Sequence, residues 1–321
     1  MRCDFNVPLD EEGNVADDFR IKQELPTINY LLQNNAKVIL ITHLDPESTG
    51  VADQKYNLEK IKENLEKLLK LNIIKSPENL KDGEVCLLEN LRFDKGETEG
   101  SLEFAKKLAE MGEIYVNDAF SVCHRSHASI SLVPKFLPGC AGFLLENEVK
   151  NLDKVLNNPK KPMMAIVGGK KVETKSKFIN NISKIADWVI ISGLVAKEAK
   201  DKNIEFSLQE KIVAPEDNLD ALDIDKNTIK IFTEKILQSK TVLWNGPFGK
   251  FEEKKYAAGT LAIAKAIIKS RAFSVVGGGE TVEFVRKYGL FKEFSWVSTG
   301  GGAMMTYLSG EELPGLAALE K

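Results

Sequence analysis

The sequence predicts an α/β protein made of two doubly wound, parallel-sheet (Rossmann-like) domains joined by a hinge helix. Three observations carry this. Strand-like apolar runs alternate with amphipathic helical segments along the chain, which implies parallel sheets covered by helices. A length of 321 residues suggests about two domains. The stretch "NNPKKP", 157–162, reads as a linker because prolines stand among polar residues. The helical "ENEVKNLDKVL" just before it would bridge the halves.

In order, "LPTINYLLQNN" has helical spacing, with Pro26 placed at a helix start, where its missing N–H costs nothing. "AKVILITHL" is a buried strand, and "NLEKIKENLEKLLKL" an amphipathic helix with Leu and Ile at three- and four-residue steps. "EVCLLENL" is a strand, "SLEFAKKLAEMG" a helix ending at Gly112, and "EIYVNDAF" a strand. After the linker, the strands are "PMMAIVGG", "DWVIISG", "TVLWNG", "FSVVGG" and "EFSWVSTGGG". The helices between them are "KSKFINNISKIA", "NTIKIFTEKILQS", "AAGTLAIAKAIIKS" and "TVEFVRKYG".

Apolar residues make up 43% of the chain, enough for sizeable cores. Lys and Arg number 44 against 47 Asp and Glu, a net charge of −3, which argues against a nucleic-acid protein. Cys3, Cys86, Cys123 and Cys140 form no CxxC pair or zinc spacing and fit a reducing cytosol. The N-terminus lacks the apolar core of a signal peptide, and no apolar run is long enough to span a bilayer. A soluble cytoplasmic protein without membrane or nucleic-acid partners is expected.

In doubly wound sheets ligands bind beyond the carboxyl ends of strands, and the two halves differ there. The first half ends its strands in basic and polar side chains: His43 after "VILIT", Arg92 after "LLENL", and His124, Arg125 and His127 after "EIYV", with Asp4, Asn6 and Arg20 near the first strand. Arginine forks pair with carboxylate and phosphate oxygens. Each residue alone reads as a solvated loop residue or a packed histidine; the set reads as a site for a small, multiply charged anion. The second half ends its strands in glycine: "GGKK" 168–171, "WNGPFG" 244–249, "GGG" 277–279 and "GGG" 300–302. One such turn is only a tight connection; four suggest backbone N–H groups brought against phosphates. Glu280, after the third cluster, either caps its helix or faces a metal ion bound to the anion.

GxGxxG, GxxxxGK[ST] and GxSxG are all absent, which disfavours a dinucleotide site of the usual type, a P-loop enzyme and a nucleophile elbow. The residues alone give a small anion in one domain and a phosphate-rich ligand in the other. A hinge between them suggests transfer from one ligand to the other, with closure excluding water.

"RCDFNVPL", "DDFRIKQELPTINYLL", "LLENLRF", "YVNDAFSVCHRSHAS", "AGFLLENEV", "WNGPFGKFE", "VVGGGETVEFV" and "VSTGGGA" with "ELPGLAAL" resemble phosphoglycerate kinase, in colinear order from the first residue to the last. The resemblance implies ATP:3-phosphoglycerate 1-phosphotransferase activity: reversible phosphoryl transfer between 1,3-bisphosphoglycerate and ADP, giving 3-phosphoglycerate and MgATP in glycolysis, by a cytoplasmic monomer. It implies a glycerate-binding domain over 1–150, with 304–321 packing back on it, and a shortened nucleotide-binding domain over 151–303. Asp4, Asn6, Arg20, His43, Arg92 and Arg125 would hold the glycerate and its phosphate. Arg20 and Lys171 would stabilise the transferring phosphoryl group. Lys175, Gly277, Gly278, Gly279 and Thr281 would meet the nucleotide phosphates, Glu252 the ribose, and Glu280 the Mg2+. A carboxylate nucleophile is already ionised at neutral pH, so no general base is needed, only positive charge and in-line positioning.

The sequence departs from the family pattern in places. The family has residues before the position of Met1, and losing them would expose a sheet edge or cost core packing; a misassigned initiation codon is one explanation. Asp45 and Pro46 stand in place of a glycine and an arginine, which is expected to lower glycerate affinity by roughly one to two orders of magnitude. Ser192 and Asp225 replace glycines, Lys250 an apolar residue, and Glu280 is one methylene longer than the usual aspartate. The stretch between Ser192 and Asp223 is short. Alternatives are therefore a degenerate, non-catalytic relative that binds a phosphate ligand or partner, and a different kinase or a dehydrogenase on a similar scaffold.

Overall fold

The computed structural model describes residues 1–45, 50, 52–170 and 172–320; Pro46 and Lys171, singled out above, lie outside the described residues. The chain forms two compact units, Met1–Glu148 with Glu312–Lys321, and Val149–Glu311. Both are α/β with parallel strands, as the alternation predicts.

Unit 1 runs α1 (Phe19–Gln33), β1 (Val38–Leu40), α2 (Glu59–Leu69), β2 (Ile73–Ile74), β3 (Val85–Leu87), α3 (Lys95–Thr98), α4 (Leu102–Ala109), β4 (Tyr115–Asn117) and β5 (Gly139–Ala141). α5 (Phe143–Leu156) then carries the chain across the division between units. The strands pair in parallel in the order β1-β3-β2, and β4 pairs with β5. Arg2 stands between these two pieces, bridged in parallel to both Ile41 and Asn117. Its N–H donates to Val116 O at 2.7 Å, and its carbonyl accepts Asp118 N–H at 2.9 Å. The segment around Arg2 thus joins the two pieces from between them. The core beneath is apolar: Phe5, Ile21 and Ile28 pack with Ile61 and Leu65 of α2 and Val85 of β3.

α1 begins at Phe19, seven residues before Pro26, so the proline is inside the helix and not at its start. Proline removes one i→i−4 bond, but Ile21 and Ile28 on either side of it are fully buried. That packing outweighs the lost bond, and a local propensity rule could not see it.

Unit 2 holds β6 (Met163–Val167), α6 (Val172–Ile185), β7 (Trp188–Ile191), α7 (Gly193–Asp201), β8 (Ile212–Val213), α8 (Lys226–Gln238), β9 (Thr241–Asn245), α9 (Ala258–Ser270), β10 (Phe273–Gly277), α10 (Gly279–Lys287), β11 (Trp296–Val297) and α11 (Gly301–Leu308). Its strands form one parallel sheet in the order β11-β10-β9-β6-β7-β8. The chain moves outward from β6 to β8, then returns to the other side of β6, so the topological switch lies between β6 and β9. Trp244 centres the core against Phe284 and Phe294, with ring centroids 6.1 and 6.0 Å away, and its indole N–H donates to Gly246 O at 2.9 Å.

The chain ends back in unit 1 with α12 (Pro314–Ala317). Gly315 N–H donates to Cys123 O at 2.9 Å, and its carbonyl accepts from Asn117 Nδ2 at 3.4 Å. All four cysteines are free thiols.

Candidate active-site residues

In unit 1 the predicted anion residues converge. Asp4 leaves the Arg2 bridge, and its carboxylate accepts from Asn6 N–H at 3.1 Å and from the Ser121 hydroxyl. Arg20, on the first turn of α1, places Nη1 3.0 Å from Asp4 Oδ2 and donates to Asn6 O at 2.9 Å. Asn6 Oδ1 accepts Asp45 N–H at 3.0 Å, and Asp45 O accepts from Arg92 Nη1 at 2.7 Å. Asp4, Asn6, Arg20 and Arg92 therefore sit on one connected set of bonds through Asp45. Arg92 is buried, and its Nε has no partner among the described residues. His43 is buried beside Arg2, its Nδ1 3.1 Å from Arg2 Nη2. Arg125 is exposed, yet near enough to oppose protonation of His127 and Arg92.

Asp45 has φ +65°, the left-handed backbone that glycine adopts without strain. The sequence thus changes the side chain at this position while the chain keeps the conformation that suits glycine. The carboxylate adds negative charge beside Arg92.

Burial dominates the titration of this region. It pushes His43 well below the usual histidine range, with Arg2, Arg92 and Arg20 adding to the effect. His127 falls to about 4 by burial and the nearby arginines. Beneath the site, burial raises Glu24 well above the usual carboxylate range and Asp118 to about 6. Glu24 Oε1 accepts Asp4 N–H at 2.8 Å, and Asp118 Oδ1 accepts Leu145 N–H at 2.9 Å near the start of α5. One oxygen of each acid, Glu24 Oε2 and Asp118 Oδ2, is buried without a partner among the described residues.

Sequence reasoning missed Arg2, Glu97, Ser129 and the Glu24–Asp118 pair. Arg2 and Ser129 lie inside motifs quoted above, next to residues that were chosen; nothing in the sequence says that they point inward.

In unit 2 the glycine turns line up along the carboxyl ends of the strands. At the switch point, Gly168 N–H donates to Asn245 O and Gly169 N–H to Pro247 O, both at 2.8 Å. A Cβ on Gly168 would lie 2.2 Å from Pro247 O, and one on Gly246 2.3 Å from Gly168 O, so the two turns interlock only as glycines. Gly278 has φ +95°; a Cβ there would stand 3.0 Å from Asn245 Nδ2, and one on Gly301 2.7 Å from Gly278 Cα. Turns after β6, β9, β10 and β11 thus form one row of bare backbone.

Around this row, Lys175 Nζ donates to Gly168 O at 2.5 Å. A Cβ on Gly169 would lie 2.8 Å from Lys175 Nζ and 3.5 Å from Glu280 Oε2, so cation and acid approach the same turn. Glu280 is exposed in the first turn of α10. Thr281 is fully buried, its Oγ1 accepting Gly246 N–H at 2.7 Å, which holds one glycine turn against the next helix. Gly277 is buried against Met304, and Gly279 is open. Glu252 is exposed, its carbonyl accepting from Lys287 Nζ at 3.3 Å. Ser192 Oγ donates to Gly169 O at 3.0 Å and caps α7 at Val195 N–H. Asp225 caps α8 through Thr228 N–H at 2.8 Å, so both glycine replacements serve as helix caps.

Among the described residues no three His, Cys, Asp or Glu side chains gather as a metal cage. Mg2+ is commonly held by one or two carboxylates plus substrate phosphates. A single exposed carboxylate beside a glycine row fits that mode.

Basic residues after the parallel strands of one unit and glycine turns after those of the other fit the class, a two-unit α/β kinase. The chain belongs to the phosphoglycerate kinase family: that family's model matches residues 1–211 and 196–311. It is 39% identical to the phosphoglycerate kinase of a Nitratiruptor species, covering 100% of this chain and 94% of that one. It is 37% identical to that of Aquifex aeolicus, with the same coverage. Its structure is similar to that of phosphoglycerate kinase from Coxiella burnetii, with TM-score 0.85, 33% identity, and coverage of 99% of this chain and 94% of the other. For the enzyme from Pyrococcus horikoshii the values are 0.87, 31%, 99% and 95%. The Nitratiruptor alignment runs over 379 positions and this chain has 321 residues, so at least 58 positions, the difference, face a gap here. The two family matches overlap at 196–211, across the end of α7 and the approach to β8.

Proposed function

We propose that this protein transfers a phosphoryl group reversibly between 1,3-bisphosphoglycerate and ADP, yielding 3-phosphoglycerate and ATP. The observation that carries the reading is a family match spanning the full chain at 39% identity. The geometry supplies the chemistry. In unit 1, Arg20, Arg92, His43 and Arg125 offer donors for the glycerate and its phosphate, with Asp4 and Asn6 holding Arg20. In unit 2, the N–H groups of Gly278 and Gly279 and the Lys175 ammonium meet the nucleotide phosphates, and Glu252 the ribose. Thr281 supports the phosphate turn from beneath. Arg20 and Lys171 stabilise the charge of the transferring group.

Glu280 would hold Mg2+, which when bound neutralises charge on the nucleotide phosphates. The attacking carboxylate of 3-phosphoglycerate is ionised at neutral pH. No described residue is needed as a base. We place the protein in the cytosol as a monomer; among the described residues no helix is long and apolar enough to cross a membrane.

A coupled assay with 3-phosphoglycerate and MgATP tests this, with Lys171→Ala as the control. Turnover well above the control is expected. Turnover equal to it would assign the chain to the non-catalytic reading.

A further inference from the structure

We propose that Arg2 is a positioning residue that locks His43 in the neutral, Nε2-protonated tautomer, so that His43 meets its ligand only as a hydrogen-bond donor. The ligand's identity rests on the glycerate reading above; the tautomer itself does not.

A guanidinium carries five donors and no acceptor. Arg2 Nη2 lies 3.1 Å from His43 Nδ1, so Nδ1 must accept, and the ring proton must sit on Nε2. Arg2 is fully buried and cannot swing away. Its Nε donates to Ser129 Oγ at 2.8 Å and its Nη1 to Cys3 O. Ser129 then donates twice to Glu97, from Oγ at 2.6 Å and from N–H at 2.9 Å. Glu97 is itself buried and stands 3.9 Å from Arg2 Nη2, which balances its charge. The donors of Arg2 and Ser129 in this chain of contacts have their directions fixed, and His43 at its end lies near Arg92 and Arg20 of the site.

The charged and titratable groups acting on His43 are Arg2, Arg92, Arg20 and His127, and each opposes its protonation. The neighbouring acids are already engaged, Asp4 with Arg20 and Glu97 with Arg2. A planar fork can hold Ser129, Cys3 O and Nδ1 together; a lysine ammonium is a single point of charge on a flexible stem. With donors committed to Ser129 Oγ, Cys3 O and His43 Nδ1, Arg2 acts through His43 and not by touching the ligand.

The first test is long-range 1H–15N correlation NMR on histidine-labelled protein. The expected result is an unprotonated Nδ1, a protonated Nε2, and no His43 titration between about pH 5 and 8. An Nδ1–H tautomer, or titration in that window, overturns the proposal. Arg2→Lys keeps the charge but not the fixed fork, and is expected to mix the tautomers. It should also raise KM for 3-phosphoglycerate about tenfold near pH 6 while kcat moves less than about threefold. Ser129→Ala, a milder change, is expected to act in the same direction if Arg2→Lys does not fold. Variants that fold and keep the wild-type tautomer also overturn it. A protein with the expected tautomer but no turnover would sink the glycerate reading and leave the lock standing.

Discussion

Arg20 Nη1 and Asp4 Oδ2 form a 3.0 Å ion pair in which the acid is buried and the base reaches solvent. The buried partner fixes the guanidinium, and the Asn6 carbonyl takes a second bond from it at 2.9 Å. Asp4→Asn keeps the shape and removes the charge. A hydrogen bond to a charged group is worth roughly 1.5–3 kcal/mol, so KM for 3-phosphoglycerate should rise at least about tenfold. Arg20→Ala should cost about a hundredfold or more in kcat/KM. Steady-state kinetics checks both, and an unchanged KM in Asp4→Asn would show that Arg20 needs no holding.

Asp45 occupies a left-handed backbone at φ +65°. Asp45→Gly removes a strain of about 1 kcal/mol and a negative charge near Arg92. Both a higher urea midpoint and tighter 3-phosphoglycerate binding are expected. The first is read by urea unfolding and the second by calorimetry.

At the switch point a Cβ on Gly168 has no room, since the atom it meets is backbone at 2.2 Å. Gly168→Ala should destabilise by about 1–3 kcal/mol and weaken MgADP binding together, read by urea unfolding and calorimetry. Gly112→Ala, where nothing lies within 4 Å of the added carbon, is the control and should do neither.

Asp118 and His127 act on stability in opposite directions across one pH window. Asp118 titrates at about 6 when folded, above the usual carboxylate value, so its contribution is full below about pH 4 and is lost as pH rises through 6. His127 titrates at about 4, below the usual histidine value, so its contribution is present above about pH 6.5 and is lost as pH falls through 4. Asp118→Asn should therefore steepen the loss of stability on acidification from about pH 6.5 to 4. His127→Gln should reduce that loss. Thermal unfolding at about pH 4.5 and 7 separates them; parallel profiles in the two variants would contradict the assignment.

Chelating divalent metal should abolish turnover, and Glu280→Gln should raise the Mg2+ needed for half-maximal rate about tenfold. A metal titration of the rate decides this, and an unshifted midpoint would take Glu280 out of the metal's shell.

Much of this molecule was legible in its sequence, because the residues after each strand are where a parallel sheet meets its ligand. The glycine clusters at 168, 246, 278 and 301 were visible as a pattern, and their stacking along one row follows from the strand order. What was not legible depends on side-chain direction. Arg2 read as one more residue of a strand, although its guanidinium is buried and bonded to Ser129, 127 positions away. Glu24 sits on a helix face where an acid is expected to be solvated, yet Asp4 N–H and the core enclose it. α1 starts earlier than the usual first-turn position of proline implies, because the burial of Ile21, and not Pro26, sets its start. Ser192 and Asp225 looked like damage to a ligand site; their oxygens cap helices instead.

Gly315 completes hydrogen bonds with Cys123 and Asn117. During synthesis, therefore, unit 1 leaves the ribosome with a gap in it, and the whole of unit 2 must be translated before the missing piece arrives. One lobe can mature early, but the other waits for the stretch from Glu312 onward to be translated.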